Sequence, residues 1–167
     1  KKTCPLDNAI LEIRVSVSNS CPAAITRFNF NTTGSTNPVN DIATAKVYYT
    51  GKTQGFAASG LFGSFVGPNG AYATTGSQSL TGGPGNYYFY LSYDITVGAT
   101  AGNLLDAGVD SLVFAGITKS DMITPYPIGS RTISSAVCIR PDLPNQNPNL
   151  QTIYAGSLII PMDTANQ

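Results

Sequence analysis

Between Leu11 and Ser18 the chain reads Leu-Glu-Ile-Arg-Val-Ser-Val-Ser, apolar and polar residues alternating without a fault. A period of two puts every second side chain on one face of an extended strand. A helix would instead repeat its apolar residues every three or four positions. The same period recurs through Ile25–Asn31, where Phe28 and Phe30 fall on one side and Asn29 and Asn31 on the other. It returns in Ala45-Lys46-Val47-Tyr48-Tyr49-Thr50, which is rich in strand-favouring residues and stopped by Gly51. The strongest strand is Tyr87-Tyr88-Phe89-Tyr90-Leu91-Ser92-Tyr93-Asp94-Ile95. Two more strands are expected around Asp110–Ile117 and Arg131–Ile139.

Turn signals separate these runs. Gly34-Ser35-Thr36-Asn37-Pro38 marks a polar loop, and Gly67-Pro68-Asn69-Gly70 and Gly82-Gly83-Pro84-Gly85-Asn86 mark tight turns. The stretch from Gly51 to Gly85 reads as loop-rich, with short strand pieces near Phe56, Leu61, Phe62, Phe65 and Tyr72. Residues 97–103 read as a crossing loop. Every long apolar window is broken by Gly, Pro or β-branched runs, so no significant helix is expected. The prediction is an all-β fold: an antiparallel β-sandwich of about seven to nine strands, immunoglobulin-like or jelly-roll-like.

The organisation predicted is a sandwich module over 1–139, then a linker over 140–152. Pro141, Pro144 and Pro148 keep that linker out of a sheet interior. The stretch 153–167, with its apolar core Leu158-Ile159-Ile160-Pro161-Met162, is either a last strand of the same sandwich or the start of a following domain.

Charge narrows the function classes. Charged residues make up 11% of the chain, and nine basic side chains balance nine acidic ones. Such a surface lacks the cationic density that holds a phosphate backbone, so no nucleic-acid partner is expected. No run approaches the roughly 18 apolar residues a bilayer span needs, and membrane insertion is not expected. Lys1-Lys2-Thr3-Cys4-Pro5 lacks the apolar region of an export signal, so an exported chain would have lost its signal or carry it upstream.

The chain has no histidine, which removes the commonest general base, the Ser-His and Cys-His pairs and the usual zinc ligand. Gly63-Ser64-Phe65-Val66-Gly67 puts its serine in the wrong place for a nucleophile elbow. No phosphate-cradling glycine motif occurs, and no two carboxylates sit in a context that suggests a matched acid and base. The chain is therefore expected not to be an enzyme and to need no cofactor, with calcium as the exception considered.

Three constellations stand out. Asp94, Asn103, Asp106 and Asp110 lie on or beside consecutive elements and would supply the oxygen ligands of a calcium ion. The competing reading is that Asn103 and Asp106 cap turns with their side chains. Tyr88 and Tyr90 fall on the face of their strand opposite Phe89 and Leu91, and Tyr48 is outward by the same count. Together they would make an exposed platform for sugar rings or a protein partner, or else pack as cross-strand pairs or under a long loop. Of the three cysteines, Cys4 and Cys21 sit too far apart along an extended strand to bridge. Antiparallel pairing of the first and last strands would bring Cys138 to Cys4. That makes Cys4–Cys138 the expected disulfide, with three buried thiols as the alternative.

The run Phe28–Thr36, then Asp41–Gly51, Phe62-Gly63, Asn86–Ile95 and Ala101–Ala107, in that order, resembles the BNR-repeat neuraminidase N-terminal domain family, over residues 9–135. Several segments in order are more specific than any one motif. The resemblance implies a β-sandwich accessory module of large proteins sent to the cell surface of Bacteroidetes-type bacteria by the type IX route. Ala155–Asp163 resembles a segment that opens a further domain in such proteins. A sialidase's own signatures are missing: the chain has no tryptophan, no S-x-D-x-G-x-T-W box and no arginine cluster. The expectation is thus a non-catalytic structural or adhesive module, extracellular or on the cell surface. Its partners would be the neighbouring domains of its parent chain. The alternative is a carbohydrate-binding module whose tyrosine face meets glycans.

Overall fold

A computed structural model describes residues 6–18 and 23–134, and the backbone of 154–160. Its strands in chain order are β1 (Asn8–Val17), β2 (Ala24–Asn31), β3 (Ile42–Gly51), β4 (Leu61–Val66), β5 (Ala71–Ser79) and β6 (Gly85–Ile95). They are followed by β7 (Leu104–Leu105), β8 (Gly108–Phe114), β9 (Ile117–Lys119), β10 (Arg131–Thr132) and β11 (Tyr154–Ile160). A single helical turn, α1 (Pro38–Asp41), sits where the Pro38 ring presets the first helical φ.

Two main sheets form the sandwich. One has the order β11-β1-β6-β3-β4 and the other β5-β2-β8-β9, with β10 and β7 as a small separate ribbon. All pairings are antiparallel except β1 with β11, which is parallel. The predicted all-β antiparallel sandwich is the fold observed.

The alternation in β1 and β2 now has its cause. Leu11, Ile13 and Val15 of β1 stand opposite Leu91, Phe89 and Tyr87 of β6 and are buried with them. From the facing sheet, Phe28 of β2 meets the Phe89 ring at 5.1 Å and the Phe62 ring of β4 edge-on at 5.3 Å. Phe30 stacks on Tyr72 of β5 at 5.5 Å. Tyr93 and Tyr72 join the sheets through their hydroxyls, 3.2 Å apart, which lets two phenols be buried without stranding a polar atom. Burial pushes the Tyr72 and Tyr93 hydroxyls above the ordinary tyrosine range.

β6 lies between β1 and β3 and is buried from Tyr87 through Ile95, on both faces. A strand covered on both sides can carry an almost unbroken run of large side chains, as this one does.

Three expectations change. The loop-rich stretch 51–85 contains two full strands, β4 and β5, joined by a turn in which Gly67 and Gly70 take φ of 62° and 71°. The strand expected around 131–139 is two residues long where described, and it pairs with β7 rather than with β1. The antiparallel partnership that would carry Cys138 to Cys4 is therefore not formed by those residues. Cys4, Cys21 and Cys138 themselves, and the 140–152 linker, lie outside the described residues.

Candidate functional site

The outward face of the β1-β6-β3 sheet concentrates the polar chemistry of the molecule. Register sets it up: Glu12 stands opposite Tyr90, and Tyr90 opposite Tyr48, so the three form one row across three strands. Further along, Lys46 is opposite Ser92 and Thr44 opposite Asp94.

Two hydrogen-bonded groups occupy this face. In the first, Lys46 Nζ lies 2.8 Å from Asp94 Oδ2 and 3.0 Å from Asp7 Oδ1. Tyr48 donates its hydroxyl to the same Asp7 oxygen at 2.6 Å, and the Asp7 backbone N–H donates to Asp94 Oδ1 at 2.8 Å. Asp7 holds a left-handed φ of 58°, a conformation that Asp tolerates better than most residues and that the three contacts hold in place. In the second group Tyr90 donates to Glu12 Oε2 at 2.9 Å and accepts the Gly55 N–H at 2.6 Å. Gln54 Nε2 adds a bond to Glu12 Oε1 at 3.0 Å.

Gln54 and Gly55 belong to a strap, residues 52–60, that leaves β3 at Gly51 and returns at Gly60. Gly51, Gly55 and Gly60 take φ of 72°, 137° and 69°, so the strap's ends and its middle use backbone that only glycine adopts freely. At its centre the Phe56 ring rests edge-on against both Tyr48 and Tyr90, with centroids 5.9 Å away in each case.

This strap corrects the exposed platform. The parity is as expected, with Tyr48, Tyr88 and Tyr90 on the face opposite Phe89, but the three are only 6%, 8% and 4% exposed. The strap and the ionic group beside it cover that face, and neither is visible in the alternation of β6 alone. The four oxygen ligands considered for calcium are also not brought together. Asp94 is engaged with Lys46 and Asp7, whereas the Asn103 side-chain amide donates to Asp41 Oδ2 at 2.7 Å. Asp106 accepts the Ala107 N–H at 2.7 Å, and Asp110 accepts the Tyr126 hydroxyl. Among the described residues no three acidic or thiol side chains gather as metal ligands would. Asn103 caps no turn with that bond, which reaches Asp41 across the chain, whereas Asp106 holds the amide of the residue next to it.

Four residues escaped the sequence reading: Asp7, Glu12, Phe56 and Asp41. Fully buried Asp41 accepts the Thr100 N–H at 2.9 Å and the Asn103 amide, tying the 96–103 loop to α1. Glu12 could have been flagged, because a carboxylate at the centre of a perfectly alternating strand needs a partner if anything covers it. The spacing Gly51, Gly55, Gly60 was the available sign of the strap.

Burial, followed by hydrogen bonding to Asp7, pushes the Tyr48 hydroxyl up to about 12 from an ordinary 10. Burial does the same for Tyr90, to about 12, helped by its bond to Glu12 and opposed by the Gly55 amide. Burial alone would pull Lys46 down, yet its bonds to Asp94 and Asp7 win and hold it above the ordinary lysine range. A group whose folded pKa is raised stabilises the fold below its unfolded value, and that stabilisation is lost as pH climbs to the folded value. The melting temperature should therefore fall between pH 10 and about 12, as the unfolded chain sheds phenolic protons the native one retains. Thermal melts with phenolate absorbance across that window check it. A flat melting temperature would contradict the arrangement.

No protein-family model and no curated protein matches the chain. Among solved structures, one named Hadza microbial sialidase Hz136 matches 80% of this chain with a TM-score of 0.52 at 15% identity. At that identity the likeness is one of fold. The chain spans only 30% of the sialidase's length, so the shared part is one module-sized portion of a longer protein. No helix among the described residues is long and apolar enough to cross a membrane.

Proposed function

We propose that this chain is a non-catalytic β-sandwich module of a larger exported bacterial protein, structural or adhesive in role, working at the cell surface or outside it. The observation that carries the reading is the scale of the structural match: most of this chain against under a third of a sialidase. A fold used as one portion of a longer carbohydrate-processing enzyme suits an accessory role beside other domains. The side-chain chemistry supports it. Asp7, Glu12, Asp41 and Asp94 are each engaged with groups that hold strands and loops in place, and the chain has no histidine to take a general base's part. The resemblance over residues 9–135 supports export by the type IX route and neighbouring domains in the parent protein as partners.

The test is turnover. The purified chain, incubated with a fluorogenic sialoside and with a panel of aryl glycosides, should release no fluorophore above a protein-free blank. Release proportional to protein concentration would overturn the non-catalytic assignment. Surface labelling of intact cells making the parent protein tests the location: tag accessibility is expected without permeabilisation, and labelling only after lysis would refute it.

A further inference from the structure

We propose that Glu12, Tyr90 and Tyr48 form a binding site for neutral sugar rings that the 52–60 strap covers in the free protein, with Phe56 occupying the place a sugar would take. This goes beyond the accessory-module reading, which stands if the site fails.

The row has the elements such a site needs. Neighbouring strands lie about 4.8 Å apart, so Glu12, Tyr90 and Tyr48 span about 10 Å, the length of one to two pyranose rings. Tyr48 and Tyr90 stand opposite one another on neighbouring strands, so their phenols bring apolar ring and polar hydroxyl to one place, the two kinds of surface that the C–H and O–H groups of a sugar need. Glu12 is a carboxylate at one end of the row, already accepting two hydrogen bonds, from Tyr90 and Gln54. A sugar hydroxyl could replace the Gln54 amide there without leaving the carboxylate unpaired.

The cover is built to come off. Every residue from Lys52 to Gly60 is exposed, and its bonds into the row are those of Gln54 and Gly55. Phe56 is 37% exposed although its ring lies on two tyrosines. An apolar ring more than a third exposed and held only by two edge-type contacts is exchanged at low cost for another ring that packs against the same tyrosines. With glycines at both ends and in the middle, the strap can swing out with little backbone cost.

The charge of the row sets the ligand class. Glu12 is the acidic side chain of the row itself, and the nearby ammonium of Lys46 is already held between two carboxylates. Arg14, a row further along opposite Tyr88, is itself engaged. A sialic acid or uronate would bring its carboxylate against Glu12, and among the described residues no cation beside the row is left to offset it, so neutral rings are favoured over acidic ones.

Wild-type chain and the variants Phe56→Ser and Phe56→Ser/Glu12→Gln would be applied to one array carrying neutral, sialylated and uronate-bearing glycans, with hydrogen exchange of the wild type followed in parallel. Phe56→Ser should retain neutral glycans about tenfold more strongly than wild type, because the cover no longer competes with the ligand. The double variant should lose that gain, and acidic glycans should remain at background throughout. The Gly55 amide should exchange far faster than the amides of β6. Absence of neutral-glycan binding by Phe56→Ser, acidic glycans bound as well as neutral ones, or a Gly55 amide as protected as β6 would each overturn the proposal. None of these outcomes touches the accessory-module reading, which fails instead on turnover.

Discussion

Phe89→Ala should destabilise the protein by about 3–5 kcal/mol, a large part of the roughly 5–15 kcal/mol that holds a domain together. Phe89 is fully buried at the middle of β6, and its ring meets Phe28 at 5.1 Å, Tyr49 at 4.8 Å and Phe62 at 5.9 Å. Those partners come from β2, β3 and β4, so the deleted ring is where the two sheets and the edge strand converge. The hole would be lined by large, stiff rings that cannot collapse into it, which places the cost toward the upper end of its range. The melting temperature should fall by roughly 10 °C or more, with an unchanged denaturant slope. Phe89→Leu should recover most of the loss by restoring volume. A drop of less than about 1 kcal/mol in Phe89→Ala would mean that the sheets do not meet through this ring.

How much of this was legible beforehand depends on whether a residue's environment is made by its own strand or by something far along the chain. Leu11 to Val17 and Tyr87 to Ile95 were readable as strands, and their inward sides were readable too, because alternation is a property of the strand itself. The turn at Gly67–Gly70 was equally local. β4 and β5 were not legible as full strands, since Gly63 and Gly76 interrupt them and glycine in a sequence reads as a break. Their glycines are there for a contact between two backbones, and one strand's sequence carries no sign of the other.

The outward face shows the same division. Parity placed Tyr48, Tyr88 and Tyr90 together correctly, but whether water reaches them depends on residues 52–60, which nothing in β6 predicts. The acidic set failed for a related reason. Asp94, Asn103, Asp106 and Asp110 are near one another in sequence, while Asn103 is held by Asp41 from 62 positions away and Asp94 by Lys46 from another strand. Partners at that sequence distance are products of topology. A carboxylate's role is therefore readable from sequence only when its partner lies in the same turn, as for Asp106 and the Ala107 amide.

Gly76→Ala is expected to cost about 3 kcal/mol, far more than a methyl group on a partly exposed strand ordinarily would. β4 and β5 are edge strands of opposite sheets, and they cross at Gly63 and Gly76. A Cβ on Gly76 would overlap the Phe62 carbonyl oxygen, and one on Gly63 would overlap the carbonyl oxygen of Thr75. Both obstacles are backbone, which cannot rotate aside as a side chain does. The sheets would have to part at this corner, and Phe62 would be drawn away from Phe28 and Phe89, its neighbours at 5.3 and 5.9 Å. The damage would thus reach the aromatic centre from the edge. Gly98→Ala is the control: a Cβ there meets nothing within 4 Å, so its effect should stay within about 0.5 kcal/mol. Equilibrium unfolding of the two variants beside the parent chain measures the contrast. Equal stabilities for Gly76→Ala and Gly98→Ala would show that β4 and β5 do not approach this closely, and the closed corner of the sandwich would have to be redrawn.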